Sequence, residues 1–485
     1  MRIDYRKITP LIISLSLLIW SGTLAWGQGN GQPTRPDALT FEELHWELRT
    51  PNKITLENGI QIYHALDQEL PLVDITLMFG IGRSVEDATN VGLLDLFAAA
   101  LESGGTKQIS AQDFDATLNA LATDLRVASG PYTTTLRLSM LQEDLPKGLE
   151  LLAQLVREPG FDPVRLETSR QRLMEQVRRR VDNPAGIADM LMLENLYPNH
   201  PLGRKPSLKT LENIKKSDLV ELHQRYFGPK NLRVAISGCV GSDEARNLIQ
   251  TGFSSWKKHT EIPQVPALST PVEGEGNGPV IVASRPLAQT TLRLVERGII
   301  KDNPDVYALE VMNYILGGGG FNSRLMREIR SNRGLAYSVY SYFSVGRLLQ
   351  GAFIAGCETK TESVPEVVGL FASIMQTLRA EEVSEAELVL AQQSQINSFV
   401  FRFENMHGLV MQAMEHDFFG YPEDYLARYR EHISAVTTED VLRVARKYLD
   451  PQRQAIIVVG NIEPEEVQQI AQKREVIQVD PASLL

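Results

Sequence analysis

The chain has 485 residues, 43% of them hydrophobic and 22% charged, with a formal net charge of −11 at pH 7. That length exceeds one ordinary core and points to two domains, and the composition is that of a globular protein. The acidic balance argues against nucleic acid as a partner, because phosphate binding needs a basic face. The run Arg178 to Arg180 reads instead as solvated helix surface.

The N-terminus has the three parts of a secretory signal: basic MRIDYRK, apolar LIISLSLLIW, and small residues that offer cleavage near Ala25 or Gly27. Residues 1–27 are expected to be a signal peptide and residues 28–48 a disordered leader. The apolar run falls short of the roughly 20 residues that a membrane span needs, so no stable span is expected after cleavage. The mature chain is then expected across the inner membrane, in the periplasm where the host has two membranes. Cys239 and Cys357 are the two cysteines, too few for a disulfide framework, and are expected as free buried thiols.

A first domain is expected over residues 49–262. Within it GLLDLFAAALESGGT, Gly92 to Thr106, reads as an amphipathic helix closed by two glycines. Leu94, Phe97, Ala98 and Leu101 form a stripe suited to the core. Asp95, Ala98 and Ala99 stand at i, i+3 and i+4, the spacing that brings three side chains together on a helix. Here they are one acid and two methyl groups. DLRVASGPYTTTLRLSML follows as two alternating strands about a turn, then EDLPKGLELLAQLV as a helix. SDLVELHQRYFGPKNLRVAISG reads as helix, Pro-containing turn and buried strand ended by Gly238.

Residues 263–278, rich in Pro and Gly, read as a linker, and residues 279–475 as a second domain built like the first. Gly317 to Gly320 precede a helix expected from about Asn322 to Arg330. Such a run permits close backbone approach and positive φ, but it lacks the Lys-Ser/Thr ending of a phosphate loop. A hairpin and helix come next, and TEDVLRVARKYLDPQRQAIIVVG repeats the helix–turn–strand unit up to Gly460. Asp218 and Asp440, Tyr226 and Tyr448, Pro229 and Pro451, and Gly238 and Gly460 are each 222 positions apart. A fixed offset at four landmarks indicates a duplicated unit. The expected class is α+β: two homologous α/β sandwich-type domains with helices packed on sheets.

The eight histidines stand at positions 45, 64, 200, 223, 259, 407, 416 and 432, and none has another four residues away. A catalytic zinc needs three protein ligands and an open position. Asp95 offers one weak ligand and alanine none, so the chain is expected to hold no metal or cofactor of its own.

Four segments occur in one order: Gly92 to Thr106, RLMEQVRRRVDNP, YPNHPLGRKPSLKTLENI and GGGGFNSRLMREIRSNRGLAYSVYS. Together they resemble the insulinase/pitrilysin-type zinc peptidases, in the branch with mitochondrial processing peptidase, over roughly residues 50–470. The resemblance implies two homologous domains per chain, and two such chains closing as a clamshell around a peptide chamber. Active members carry His-x-x-Glu-His on the first helix, two His for zinc and a Glu to activate its water. Asp95 stands at the first His place, Ala98 at the Glu place and Ala99 at the second His place. Gln176, aligned through Asp182 to Pro184, stands where a third ligand would be, and the neighbouring Glu175 is turned about 100° away.

The resemblance also puts Arg330 and Tyr337 at a substrate-side Arg/Tyr pair, and Gly317, Gly318, Gly319 and Gly320 in a substrate-contacting loop. A Tyr hydroxyl or Arg guanidinium aimed at a developing oxyanion lowers the barrier to peptide hydrolysis. Read without the family, Arg330 would serve a helix C-terminus and Tyr337 would pack in a strand. The expectation is a non-catalytic, substrate-binding subunit of an exported peptidase. A homologous partner bearing His-x-x-Glu-His would hold the zinc, in a heterodimer that binds peptides. Two alternatives stand beside it. One is a peptide-binding or structural scaffold with no catalytic partner; the other is a peptidase with an unrecognised metal arrangement, which the ligand count disfavours.

Overall fold

The structure, a computed structural model, describes residues 49–256, 260–268, 277–403 and 405–484. The expected signal peptide, the whole of the expected leader and the middle of the expected linker lie outside them. Among the described residues no helix is long and apolar enough to cross a membrane.

Two six-stranded sheets organise the described residues. The first contains β1 (Asn52–Thr55), β2 (Gln61–Leu66), β3 (Leu72–Phe79), β4 (Arg126–Ser129), β5 (Thr134–Leu141) and β6 (Leu232–Gly238), in the order β1-β2-β6-β3-β5-β4. The second contains β7 (Val280–Ser284), β8 (Thr290–Arg297), β9 (Ala336–Ser344), β10 (Ala352–Thr359), β11 (Ala455–Gly460) and β12 (Val476–Gln478), in the order β12-β7-β11-β8-β10-β9. Setting the outer strands β1 and β12 aside, the two orders correspond strand for strand. β2 pairs with β6, and β7 with β11, in parallel. The remaining three pairings in each sheet are antiparallel. The duplicated unit expected from the sequence is therefore also a duplicated topology.

Strands buried on both faces read as continuous apolar runs, and β11, AIIVVG, is buried along its whole length. The first sheet carries its main core on one side, where Val73, Ile75, Leu77 and Phe79 meet Phe97, Leu101, Leu149 and Ile249 from helices. On its other side Tyr63, Met78 and Ala235 meet Val410 and Met414. Those two residues belong to the helix Met406–Phe419, which comes from the second half of the chain. Reciprocally, the helix Pro184–Leu196 of the first half lies on the second sheet, with Ile187, Leu191 and Leu196 against Ile281, Val295, Ile457 and Val459.

This exchange follows the same 222-residue offset. Asn183 and Asn405 precede the two exchanged helices, and Asp162 and Ser384 cap the helices before them. Each fully buried aliphatic side chain in these contacts contributes roughly 1.5–3 kcal/mol, so the halves are held together by hydrophobic cores. Polar contacts fix the register. His407 bonds through Nε2 to Thr76 Oγ1 and through Nδ1 to Ser237 Oγ, both at 2.9 Å, and so spans β3 and β6. At the other end of that helix Asp417 accepts from Lys53 Nζ at 2.6 Å and from the Tyr63 hydroxyl.

Two local expectations change. Gly317 and Gly318 are not in an open loop: the helix Val306–Asn313 continues through a wide π-helical turn, Tyr314–Gly318, then a short turn, Gly320–Asn322. A Cβ on Gly317 would lie 2.4 Å from Ser341 Oγ and 2.6 Å from its backbone nitrogen, so glycine here serves close packing on β9. Gly320, with φ of 57°, faces open space. Both cysteines are free; Cys357 is buried as expected, while Cys239 is only half-buried.

Candidate functional site

The helix Leu93–Ser103 turns Leu94, Phe97, Ala98 and Leu101 into the core, as the apolar stripe predicts. Its N-terminal N–H groups need acceptors, and Glu86 supplies them. The Glu86 carboxylate accepts from Leu94 N–H at 2.7 Å and from Gly92 N–H at 3.2 Å. Burial pushes this carboxyl up to about 7, against the opposing pull of those two N–H groups. Asp95 lies in the first turn of that helix, with its carboxylate 3.5 Å from the Arg83 guanidinium. Burial raises its pKa, and the charges of Arg83 and Lys205 oppose that rise.

Gln176 lies on the exposed face of the helix Pro163–Arg179. Glu175, one position earlier, is turned aside and paired with Arg179 at 2.7 Å and Arg178 at 3.6 Å. Asp95 and Gln176 line one cavity of about 450 Å³, together with Arg179, Arg180 and Asn183. Ala98 and Ala99 are not on that lining, and neither are Arg330 and Tyr337. The four positions therefore split: an acid and an amide share a pocket, and the two methyl groups add nothing to it.

These residues do not fit a catalytic zinc. Alanine has no lone pair, and Asp95 already faces two cations that would repel a divalent ion. Among the described residues no group of three or more His, Cys, Asp or Glu side chains is placed to hold a metal. The described histidines are spent elsewhere. His64, His200 and His223 bond to the carbonyls of Val240, Pro266 and Val156. His416 and His432 stack on Tyr421 and Tyr307. His45 and His259 lie outside the described residues.

Arg330 and Tyr337 do come together. The Arg330 guanidinium carbon lies 4.6 Å from the Tyr337 ring centroid and 4.5 Å from that of Phe321, so it is held between two aromatic faces. Tyr337 lies in β9, as the plain reading of the residues has it, but it does not pack inward: 82% of it is exposed, as is 65% of Phe321. β9 is an edge strand, the kind of element that can pair with another chain, although at Ser341 its carbonyl already accepts from Asn313 Nδ2 at 3.1 Å. Arg333, which could compete for the same role, is tied to Glu328 at 2.7 Å and Glu366 at 2.8 Å.

Sequence reasoning missed Phe321, whose signal was its place directly after four glycines. It also missed Arg83 and Lys205, because nothing local in either segment announces a shared neighbour in Asp95.

Residues 66–208 match the insulinase (peptidase family M16) domain and residues 213–395 the peptidase M16 inactive domain. The chain belongs to the insulinase family and is a peptidase-like member of it. It is 27% identical over 420 residues to an uncharacterised zinc protease of Mycobacterium tuberculosis, covering 84% of this chain and 93% of that protein. It is 25% identical over 432 residues to the non-peptidase homolog YmxG of Helicobacter pylori, covering 87% and 94%. The crystal structure of a peptidase M16 inactive domain from Pseudomonas fluorescens has the same fold. Its TM-score is 0.75 at 23% identity, over 85% of this chain and all of that one.

Proposed function

We propose that this chain is a non-catalytic, peptide-binding subunit of an exported zinc metallopeptidase, completed by a homologous partner that bears His-x-x-Glu-His. The observation that carries the reading is an asymmetry. The metal position has no usable ligand set, whereas Arg330 stands stacked between the exposed rings of Phe321 and Tyr337 at the edge strand β9. Two exposed aromatic rings are a poor investment for a fold that gains nothing from them, and they suit contact with an extended peptide. The name of the Helicobacter pylori relative, a non-peptidase homolog, agrees with a member that has no peptidase activity of its own.

In this reading β9 offers backbone groups to a peptide, and Arg330, pre-oriented by its two rings, offers a fork of donors to a peptide carbonyl. The partner holds the zinc and activates water; no step of hydrolysis uses Asp95 or Gln176. The test is co-expression with a zinc-bearing homologue and an assay of peptide cleavage by the mixed enzyme. Arg330→Ala and Tyr337→Ser should each lower its rate. If both leave the mixed enzyme at full rate, the assigned roles are wrong.

A further inference from the structure

A second cavity, of about 290 Å³, lies where the two halves meet. Arg83, Arg204 and Lys205 line it from the first half, and Arg347, on the turn between β9 and β10, lines it from the second. Glu86 is the one acid on the lining among the described residues, and its carboxylate is turned to the N–H groups of Gly92 and Leu94.

Two of these four cations, Arg204 and Lys205, have no paired carboxylate among the described residues. Among the described residues Arg204 bonds to carbonyl oxygens, those of Glu86 at 3.0 Å and Asn199 at 3.2 Å. Carbonyls orient a guanidinium without neutralising it. Among the described residues no carboxylate lies within ion-pair distance of Lys205 Nζ, and Asp95 and Asp189 act on it only from farther off. Burial, aided by the charges of Arg83 and Arg180, pulls its pKa down to about 8, which is the mark of a half-buried ammonium short of a counter-charge. Arg83 and Arg347 reach Asp95 at 3.5 Å and Glu415 at 2.9 Å, and neither of those acids lines the cavity.

Most of the remaining wall is apolar or aromatic, including Pro131, Tyr132, Tyr197, Leu202 and Leu349, with Ser344 and Gln350 as its other polar side chains. A free inorganic anion would have no use for that surface, whereas the last residue of a chain would present a carboxylate and a side chain together. We infer that this cavity receives the C-terminal carboxylate of a bound peptide, with Lys205 and Arg204 as its principal counter-charges and Arg347 closing it from the second half. The inference rests on the peptide-binding reading and names one end of the ligand. Charge-assisted bonds from Arg and Lys to a carboxylate are the strong ones, so the free end should dominate recognition.

Two fluorescent peptides of one sequence, one with a free C-terminus and one amidated, are titrated into the full chain by anisotropy. The free acid should bind roughly tenfold tighter or better. That preference should fall to about twofold or less in Lys205→Met and in Arg347→Gln, each checked for native circular dichroism; Arg347, on an exposed turn, guards against misfolding of the buried variant. Equal affinity for both peptides in the wild type overturns the inference and leaves the peptide-binding reading standing. Binding of neither peptide sinks that reading and the inference with it. If inorganic phosphate raises the melting temperature in a Lys205-dependent way while both peptides bind alike, the cavity is a small-anion site and the inference is wrong.

Discussion

Asp95 stands 3.5 Å from Arg83, so the acid that the family resemblance puts at a metal position faces a cation of the same chain. Under the proposed correspondence, a charge-compensated pair stands where relatives would place a divalent ion. Reversing it should need ligands added and the cation removed. Asp95→His, Ala99→His and Gln176→Glu, combined with Arg83→Gln, should take up one zinc per chain, because i, i+4 spacing and the facing helix supply three ligands. Asp95→His alone should gain none. Atomic emission on gel-filtered protein reads the difference, and a combined variant no richer in zinc than the parent would refute the geometric assignment.

Arg330 and Tyr337 should act on peptide affinity and not on folding. Tyr337 is 82% exposed, and substitutions at such places change stability by about 0.5 kcal/mol or less. Arg330→Ala, Phe321→Ser and Tyr337→Ser should each weaken peptide binding several-fold while urea midpoints stay within that margin. A variant that loses stability instead would mean the stack is a structural brace.

His407 links the halves, and its removal should be costly. His407→Ala leaves the buried Thr76 and Ser237 hydroxyls without their partner, a loss of about 2 kcal/mol or more. Burial, outweighing the charge of Asp74, lowers the His407 pKa from 6.5 to about 4. The native state thus resists a proton that the unfolded chain accepts. Stability from this group is present above 6.5 and is lost as pH falls from there toward 4. Urea unfolding at pH 7 and pH 4.5 should show a wild-type loss of about 2 kcal/mol more than His407→Gln, which can bond both hydroxyls at either pH. Parallel losses in the two proteins would remove His407 from the account.

The glycine run should divide by position. Gly317→Ala forces a methyl group into the backbone of β9 at Ser341 and should destabilise the fold by about 1–3 kcal/mol. Gly320→Ala meets no neighbour and carries only the cost of its positive φ, about 1 kcal/mol. Melting curves of the two variants distinguish a packing role from a conformational one; equal losses would contradict it.

The duplication was legible because its landmarks are local. Tyr226 and Tyr448, or Gly238 and Gly460, end a helix and a strand whose period and turn chemistry can be read without tertiary knowledge. The core stripe through Leu94, Phe97, Ala98 and Leu101 was legible for the same reason. The exchange of Pro184–Leu196 and Met406–Phe419 was not, since a helix packed on a distant sheet has the same apolar pattern as one packed at home. At the site, the missing ligands could be read from residue types alone. The partners of Asp95 could not, because Arg83 and Lys205 are brought to it by folds of the chain that no spacing rule connects. Phe321 was overlooked because an aromatic after glycines reads as core until its exposure is known.

The central claim is tested most directly by the metal content of the purified wild-type chain. The protein is incubated with excess zinc, passed over a desalting column and measured by atomic emission, alongside Asp95→Ala and Gln176→Ala. The account predicts well under one zinc per chain and no difference among the three. One zinc per chain in the wild type, lost in either variant, would contradict it.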